Sequence, residues 1–150
     1  MPDIYTAEWY ETLKETLNRS DDVIKKAPRG HLKVLGQVNG DGISPYLKDG
    51  ESRWFAVDLV DGRCTSYVEM SEAPARRDFD FTLELRASLF ESVVANLADP
   101  VQAGLKGDIR IVGDMRILIQ NAELVNVLSD IYGREIETSW PKGKPPYEGA

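Results

Sequence analysis

Cysteine and histidine are nearly absent from this chain, one of each in 150 residues. The lone Cys64 cannot form an internal disulfide, and together with His31 it cannot build a zinc site from several such ligands. A Ser-His-Asp or Cys-His centre would have to recruit His31. No Gly-x-Ser-x-Gly elbow exposes a serine, however, and no glycine-rich phosphate loop precedes a helix. No apolar run approaches the roughly 20 residues that span a bilayer, so integral membrane insertion is not expected. Positive charge is scarce too: 18 basic residues stand against 25 acidic ones, for a formal charge of −7. Such a chain repels phosphate backbones, and nucleic acid is not an expected partner. Met1 to Tyr10 has neither the basic region nor the apolar run of a secretory signal, and Tyr147-Glu148-Gly149-Ala150 is not a peroxisomal one. The expected address is cytoplasmic.

What is present suits a folded domain. Hydrophobic residues make up 42% and charged ones 29%, and a chain of this length buries roughly 68–70% of its unfolded surface. One domain is expected over 1–150, with its core at about 31–132 and an irregular tail over 134–150 that carries Trp140 and three prolines. That tail either packs over the domain or stays loose.

The chain opens helically. Thr6 is an N-cap candidate ahead of Tyr10, Leu13 and Leu17 at helical spacing, and Ser20-Asp21-Asp22 can cap a short second helix to Lys26. From His31 the period changes to two. Strands are expected at 31–38, at 53–60 with Trp54, Phe55, Val57 and Leu59, at 63–70 after the Asp61-Gly62 hairpin signal, and at 79–85. One face of this sheet should be wet, because Asp80, Thr82 and Glu84 alternate with Phe79, Phe81, Leu83 and Leu85. Ser88 then opens a helix striped by Leu89, Phe90, Val93, Val94 and Leu97, and Asp99-Pro100 starts another that ends at Gly104 and Gly107. A fifth strand is expected at 108–112, and a long helix from Asp114, as N-cap, to Tyr132, closed by Gly133. Met115, Leu118, Ile119, Ala122 and Val125 line one side of it, and Ile117, Leu124, Leu128 and Ile131 another. Such a helix is buried or covers a cavity.

The ordered set Trp54-Phe55-Ala56-Val57-Asp58-Leu59-Val60-Asp61-Gly62, a helix with Phe90, the break Ala98-Asp99-Pro100, and Gly104-Leu105-Lys106-Gly107-Asp108-Ile109-Arg110-Ile111-Val112-Gly113-Asp114-Met115 resembles the sterol carrier protein 2 family. The resemblance spans Leu32 to Leu128 and is most specific between Phe81 and Met115. It implies an α/β (α+β) fold: a five-stranded, mainly antiparallel sheet with helices on one face around a hydrophobic tunnel. It further implies non-catalytic carriage of a small hydrophobic ligand, such as a fatty acid, acyl thioester, isoprenoid or sterol.

The expected tunnel walls are Trp54, Phe81, Leu83, Phe90, Val93, Val94, Leu97, Val101, Leu105, Met115, Leu118 and Ile119. Each of these could instead be ordinary core, and Trp54 could equally sit on the outer sheet face. Burying about 12 methylenes at about 0.8 kcal/mol each, against an association cost of about 4–15 kcal/mol, allows micromolar affinity. No catalytic residue, metal or cofactor is expected. Two alternatives remain open. One is a small isomerase or hydratase with Asp58 or Asp80 as base in the pocket. The other is an accessory subunit that meets an enzyme partner through an exposed apolar patch. A homodimer is a further candidate assembly.

Overall fold

The computed structural model describes residues 1–148 and, apart from the Leu118 side chain, their burial. Helix α1 (Ala7–Arg19) is capped by Thr6, which accepts from the Trp9 N–H, and α2 (Asp21–Lys26) by Ser20, which accepts from Val23. Strands β1 (His31–Asn39), β2 (Ser52–Val60) and β3 (Arg63–Met70) follow. The β2–β3 hairpin turns through Asp61 and Gly62, both at positive φ (49° and 85°), which is the geometry that Asp-Gly favours. After a 3-10 turn at Arg76–Asp78 come β4 (Phe81–Arg86), α3 (Ala87–Val94), α4 (Pro100–Leu105), β5 (Arg110–Gly113), α5 (Met115–Gln120), α6 (Ala122–Asp130) and a π turn at Ile131–Glu135.

These strands form one five-stranded sheet in the order β3-β2-β1-β4-β5. Only the β1–β4 pair is parallel, so the mainly antiparallel α+β architecture holds. The pairing register assigns the two faces. Val34, Gly36 and Val38 share one face with Val57, Phe55, Tyr67, Phe81, Leu83, Leu85 and Ile111. Side chains from α1 to α4, α6 and the π turn complete the core on that side. The opposite face carries Lys33, Gln37, Trp54, Asp58 and Glu84, with Arg76 donating to both Gln37 and Glu84 at 2.9 Å.

Several boundaries depart from the sequence reading, each for a visible reason. β4 starts at Phe81 because Asp80 is occupied as a cap: its carboxylate accepts the Lys33 N–H at 2.8 Å. β5 starts at Arg110 because the Asp108 and Ile109 N–H groups are both held by the Ala103 carbonyl at the end of α4. The long final helix is broken. Asn121 leaves helical geometry (φ −116°, ψ 32°), and its side-chain amide donates to the Ile117 carbonyl at 2.7 Å, a local competition with the backbone that asparagine commonly offers. Gly133 does not close the helix but lies inside the π turn, where an added Cβ would meet Asn96 Oδ1 at 2.9 Å. The segment after the π turn packs down: Ile136 and Thr138 are buried, the Ile4 N–H donates to the Ser139 carbonyl at 3.1 Å, and the Ser139 N–H donates to the Pro2 carbonyl at 2.8 Å.

Candidate ligand site

Two halves of the covered sheet face are filled differently. Under α1 the space is packed with rings: Tyr5, Trp9 and Tyr10 meet Phe55, Tyr67 and Phe90 at centroid separations of 5.3–6.2 Å. Gly36 makes room for this layer, since a Cβ there would lie 2.2 Å from the Phe55 ring. At the other end, α3 packs against β4 and β1, and α6 packs against α4. Gly104 of α4 lies against Ile111 of β5.

The expected wall residues divide accordingly. Phe81, Phe90, Val93 and Val94 are buried, and Leu83 and Val101 are half-buried. Leu97, Leu105, Met115 and Ile119 are instead exposed, at 55%, 78%, 47% and 74%. The Leu118 side chain lies outside the described residues. Trp54 is placed on the opposite sheet face, paired across β1 with Gln37 and across β3 with Met70. The structure therefore separates it from the other wall candidates by the thickness of the sheet.

Leu97 leaves the α3 stripe because that helix ends at Val94 and Asn96 turns left-handed, at φ 60°. This reversal sends Leu97 into an open cleft of about 480 Å³ between the α3–α4 link and α6. Val93, Ala98 and Leu97 lie on its inner side, and Asn96, Asp99, Asn126, Ser129, Asp130 and Arg134 give it a polar rim. Met115 and Ile119 are exposed because α5 and α6 direct the other expected stripe inward: Leu124 and Ile131 are buried, and Ile117 and Leu128 are half-buried. Asp114 caps α5 as expected, accepting the Arg116 N–H at 3.0 Å, and Asp99 likewise accepts from Val101 at 2.9 Å.

The most unusual polar group escaped the sequence reading. Glu91 on α3 is fully buried, and its carboxylate accepts from Tyr5 Oη (2.6 Å), Ser44 Oγ (2.8 Å) and Tyr147 Oη (2.7 Å). Burial pushes its acidity toward higher pKa, and the hydroxyls of Tyr147, Tyr5 and Ser44 pull it only partly back. Nearby, Asp41 receives the N–H groups of Ile43, Ser44 and Ser88 and the Ser88 hydroxyl, which fixes the β1–β2 loop to the start of α3. Burial raises the Asp41 carboxyl, but these donors outweigh it and leave the pKa below its ordinary value.

Asp58 and Asp80 do not enter the covered space. Asp58 sits on the outer face 3.8 Å from His31, and Asp80 is exposed at the start of β4. The isomerase alternative thereby loses both proposed bases. Cys64 is buried, and desolvation pushes its thiol up to about 11.

Taken with its topology, this molecule has the architecture of a small α+β domain with one apolar-faced sheet. The chain belongs to the SCP-2 sterol transfer family, whose sequence profile matches residues 21–126. Among solved structures it is similar to a conserved hypothetical protein of Thermus thermophilus whose description suggests a sterol carrier protein. That likeness has 21% identity and TM-score 0.72, covering 93% of each chain. It is similar to the same degree to a crystal structure of sterol carrier protein 2, with 21% identity and TM-score 0.72 over 90% of this chain and 100% of the other. The apo sterol carrier protein 2 of Yarrowia lipolytica is more distant, at 16% identity and TM-score 0.51 over 81% and 87%. At these identities the likeness establishes the shared fold. No curated protein matches the chain.

Proposed function

We propose that the whole chain acts as one domain that binds a single lipid-like molecule without transforming it, with the apolar part of the ligand at the β4–β5 end of the sheet. The ligand class is a fatty acid, acyl thioester, isoprenoid or sterol, and the setting is cytoplasmic. Family membership supports the class of ligand. The observation that carries the location is the distribution of uncovered apolar side chains. Leu97, Leu105, Val112, Met115 and Ile119 all belong to the segments around β5, and together they make up five of the eight large hydrophobics exposed among the described residues.

Each such side chain gains roughly 1.5–3 kcal/mol on full burial, so a chain or ring system laid against them replaces water at a favourable site. The aromatic layer under α1 leaves no comparable unfilled stripe. Polar groups on the cleft rim, Asn96, Asn126, Ser129 and Arg134, supply donors and acceptors for a headgroup.

The test is native and extraction mass spectrometry of the purified protein, followed by titration with a fluorescent fatty acid. A stoichiometric lipid, or saturable micromolar binding, is the expected result. An empty protein that also ignores the probe overturns this reading and favours a protein partner on the same exposed residues. No helix among the described residues is long and apolar enough to cross a membrane.

A further inference from the structure

Three segments that have no regular structure of their own converge on Glu91: the N-terminal stretch through Tyr5, the β1–β2 loop through Ser44, and the 136–148 segment through Tyr147. The groups around this carboxyl are Tyr5, Asp41, Ser44, Tyr46 and Tyr147, and none of them is a cation. Lys142 and Lys144 of the 136–148 segment are exposed, and Arg53 is engaged with other groups. Its guanidinium lies over the Tyr5 ring at 5.0 Å and donates to Glu69 at 2.9 Å. An ionised Glu91 therefore depends on three hydroxyls alone, and admitting water to it requires one donor to leave.

The donors differ in how firmly they are held. Tyr5 is buried in the ring layer, and Ser44 is buried in a loop pinned by Asp41 and by the buried Leu47. Tyr147 is only half-buried, and of the residues around it Pro145 is buried while Pro141, Lys142, Gly143, Lys144, Pro146 and Glu148 are exposed. Beyond the Glu91 catch, this outer stretch is held by Tyr46, whose hydroxyl donates to the Gly143 carbonyl at 2.8 Å and accepts the Lys142 N–H at 3.2 Å. Lys142 also walls a cleft of about 600 Å³ against Tyr46, Leu47 and Arg53.

We infer that residues 141–148 form a detachable strap, that Glu91 is its catch, and that ionisation of Glu91 releases the strap and widens the cleft beside the β1–β2 loop. The docked strap favours the protonated acid, because burial holds the Glu91 pKa above its ordinary value. Once the strap is detached, water solvates the carboxylate. Raising the pH thus shifts the balance toward detachment, by at most about tenfold per pH unit between the ordinary and the raised pKa, and then no further. This inference is independent of what the protein carries.

Hydrogen exchange of the Lys142 amide, read by NMR and corrected for intrinsic pH dependence, tests it. This amide donates to the Tyr46 hydroxyl, across to the β1–β2 loop, whereas the Gly143 amide bonds the Trp140 carbonyl within its own segment and serves as a control. The wild-type protein should lose protection at Lys142 as pH rises above the ordinary carboxylate range of about 4.3, while Glu91→Gln keeps protection flat. Tyr147→Phe removes one hydrogen bond from a half-buried position and should speed exchange several-fold at low pH, the worth of a bond to the neutral acid. Equal pH profiles for wild type and Glu91→Gln would overturn the inference. So would unchanged protection in Tyr147→Phe, which remains readable even if Glu91→Gln does not fold.

Discussion

The indole N–H of Trp9 donates to Oγ1 of Thr138 at 3.0 Å, and both residues are buried. One hydrogen bond thus joins the first helix to the segment that follows the last. Replacing Thr138 by Val keeps the shape and removes the acceptor, leaving a buried donor unpaired at a cost of about 1–3 kcal/mol. Urea denaturation followed by tryptophan fluorescence should show that loss. A variant as stable as wild type would mean that water reaches Trp9.

Gly36 is required by its neighbour and not by its backbone. A Cβ at this position would fall 2.2 Å from the Phe55 ring. The ring cannot retreat freely, because Phe55 also packs against Tyr10, Tyr67 and Phe90. Gly36→Ala should cost about 1–3 kcal/mol, as overpacking does. Adding Phe55→Leu to it should recover part of the loss, so the double variant is more stable than the two separate losses would sum to.

The local features of the fold were legible and the long-range ones were not. The caps at Thr6, Ser20 and Asp99 and the Asp61-Gly62 turn depend on neighbours within a few residues, so the sequence spells them out. Period two shows that Trp54 and Phe55 face opposite ways, yet it cannot say which parity meets the helices, and Trp54 proved to be on the outer side. Leu97 fits the α3 stripe by spacing, but Asn96 ends that path. Glu91 offered no signal at all, since it sits in an apolar stretch and its donors lie 86, 47 and 56 residues away. The family resemblance, by contrast, rests on ordered short stretches and does not depend on these side-chain placements.

Ligand binding should separate the two sheet faces. Leu97→Asn and Ile119→Asn change exposed positions and should move stability by no more than about 0.5 kcal/mol. They should nevertheless weaken fluorescent fatty acid binding several-fold. Trp54→Ala, on the outer face, should leave the binding constant unchanged. Loss of binding in the Trp54 variant alone would place the ligand on the wrong side of the sheet for the proposed site.

Cys64 should be silent toward thiol reagents in the folded protein. With its pKa pushed up to about 11, only about one molecule in a thousand carries a thiolate at pH 8, and the group is buried as well. Reaction with a chromogenic disulfide should be negligible in buffer and immediate in denaturant. Fast labelling of the native protein would show that the β3 edge opens beside α1.

Two buried-side carboxyls should give stability opposite pH slopes. Glu91 has its pKa raised on folding, so its contribution is complete below the ordinary carboxylate value and is lost as pH rises through the raised one. The stability difference between wild type and Glu91→Gln should therefore shrink, or reverse, from about pH 4.3 upward. Asp41 has its pKa lowered, so its contribution is present above the ordinary value and is lost as pH falls through the lowered one. The wild-type advantage over Asp41→Asn should accordingly vanish in acid, below about pH 3.9. Chemical denaturation of the three proteins across pH 3 to 8 measures both slopes at once. If the two differences run in the same direction, one of these assignments is wrong. The Glu91 slope is the more exposed to refutation, because burial and three donors oppose each other there.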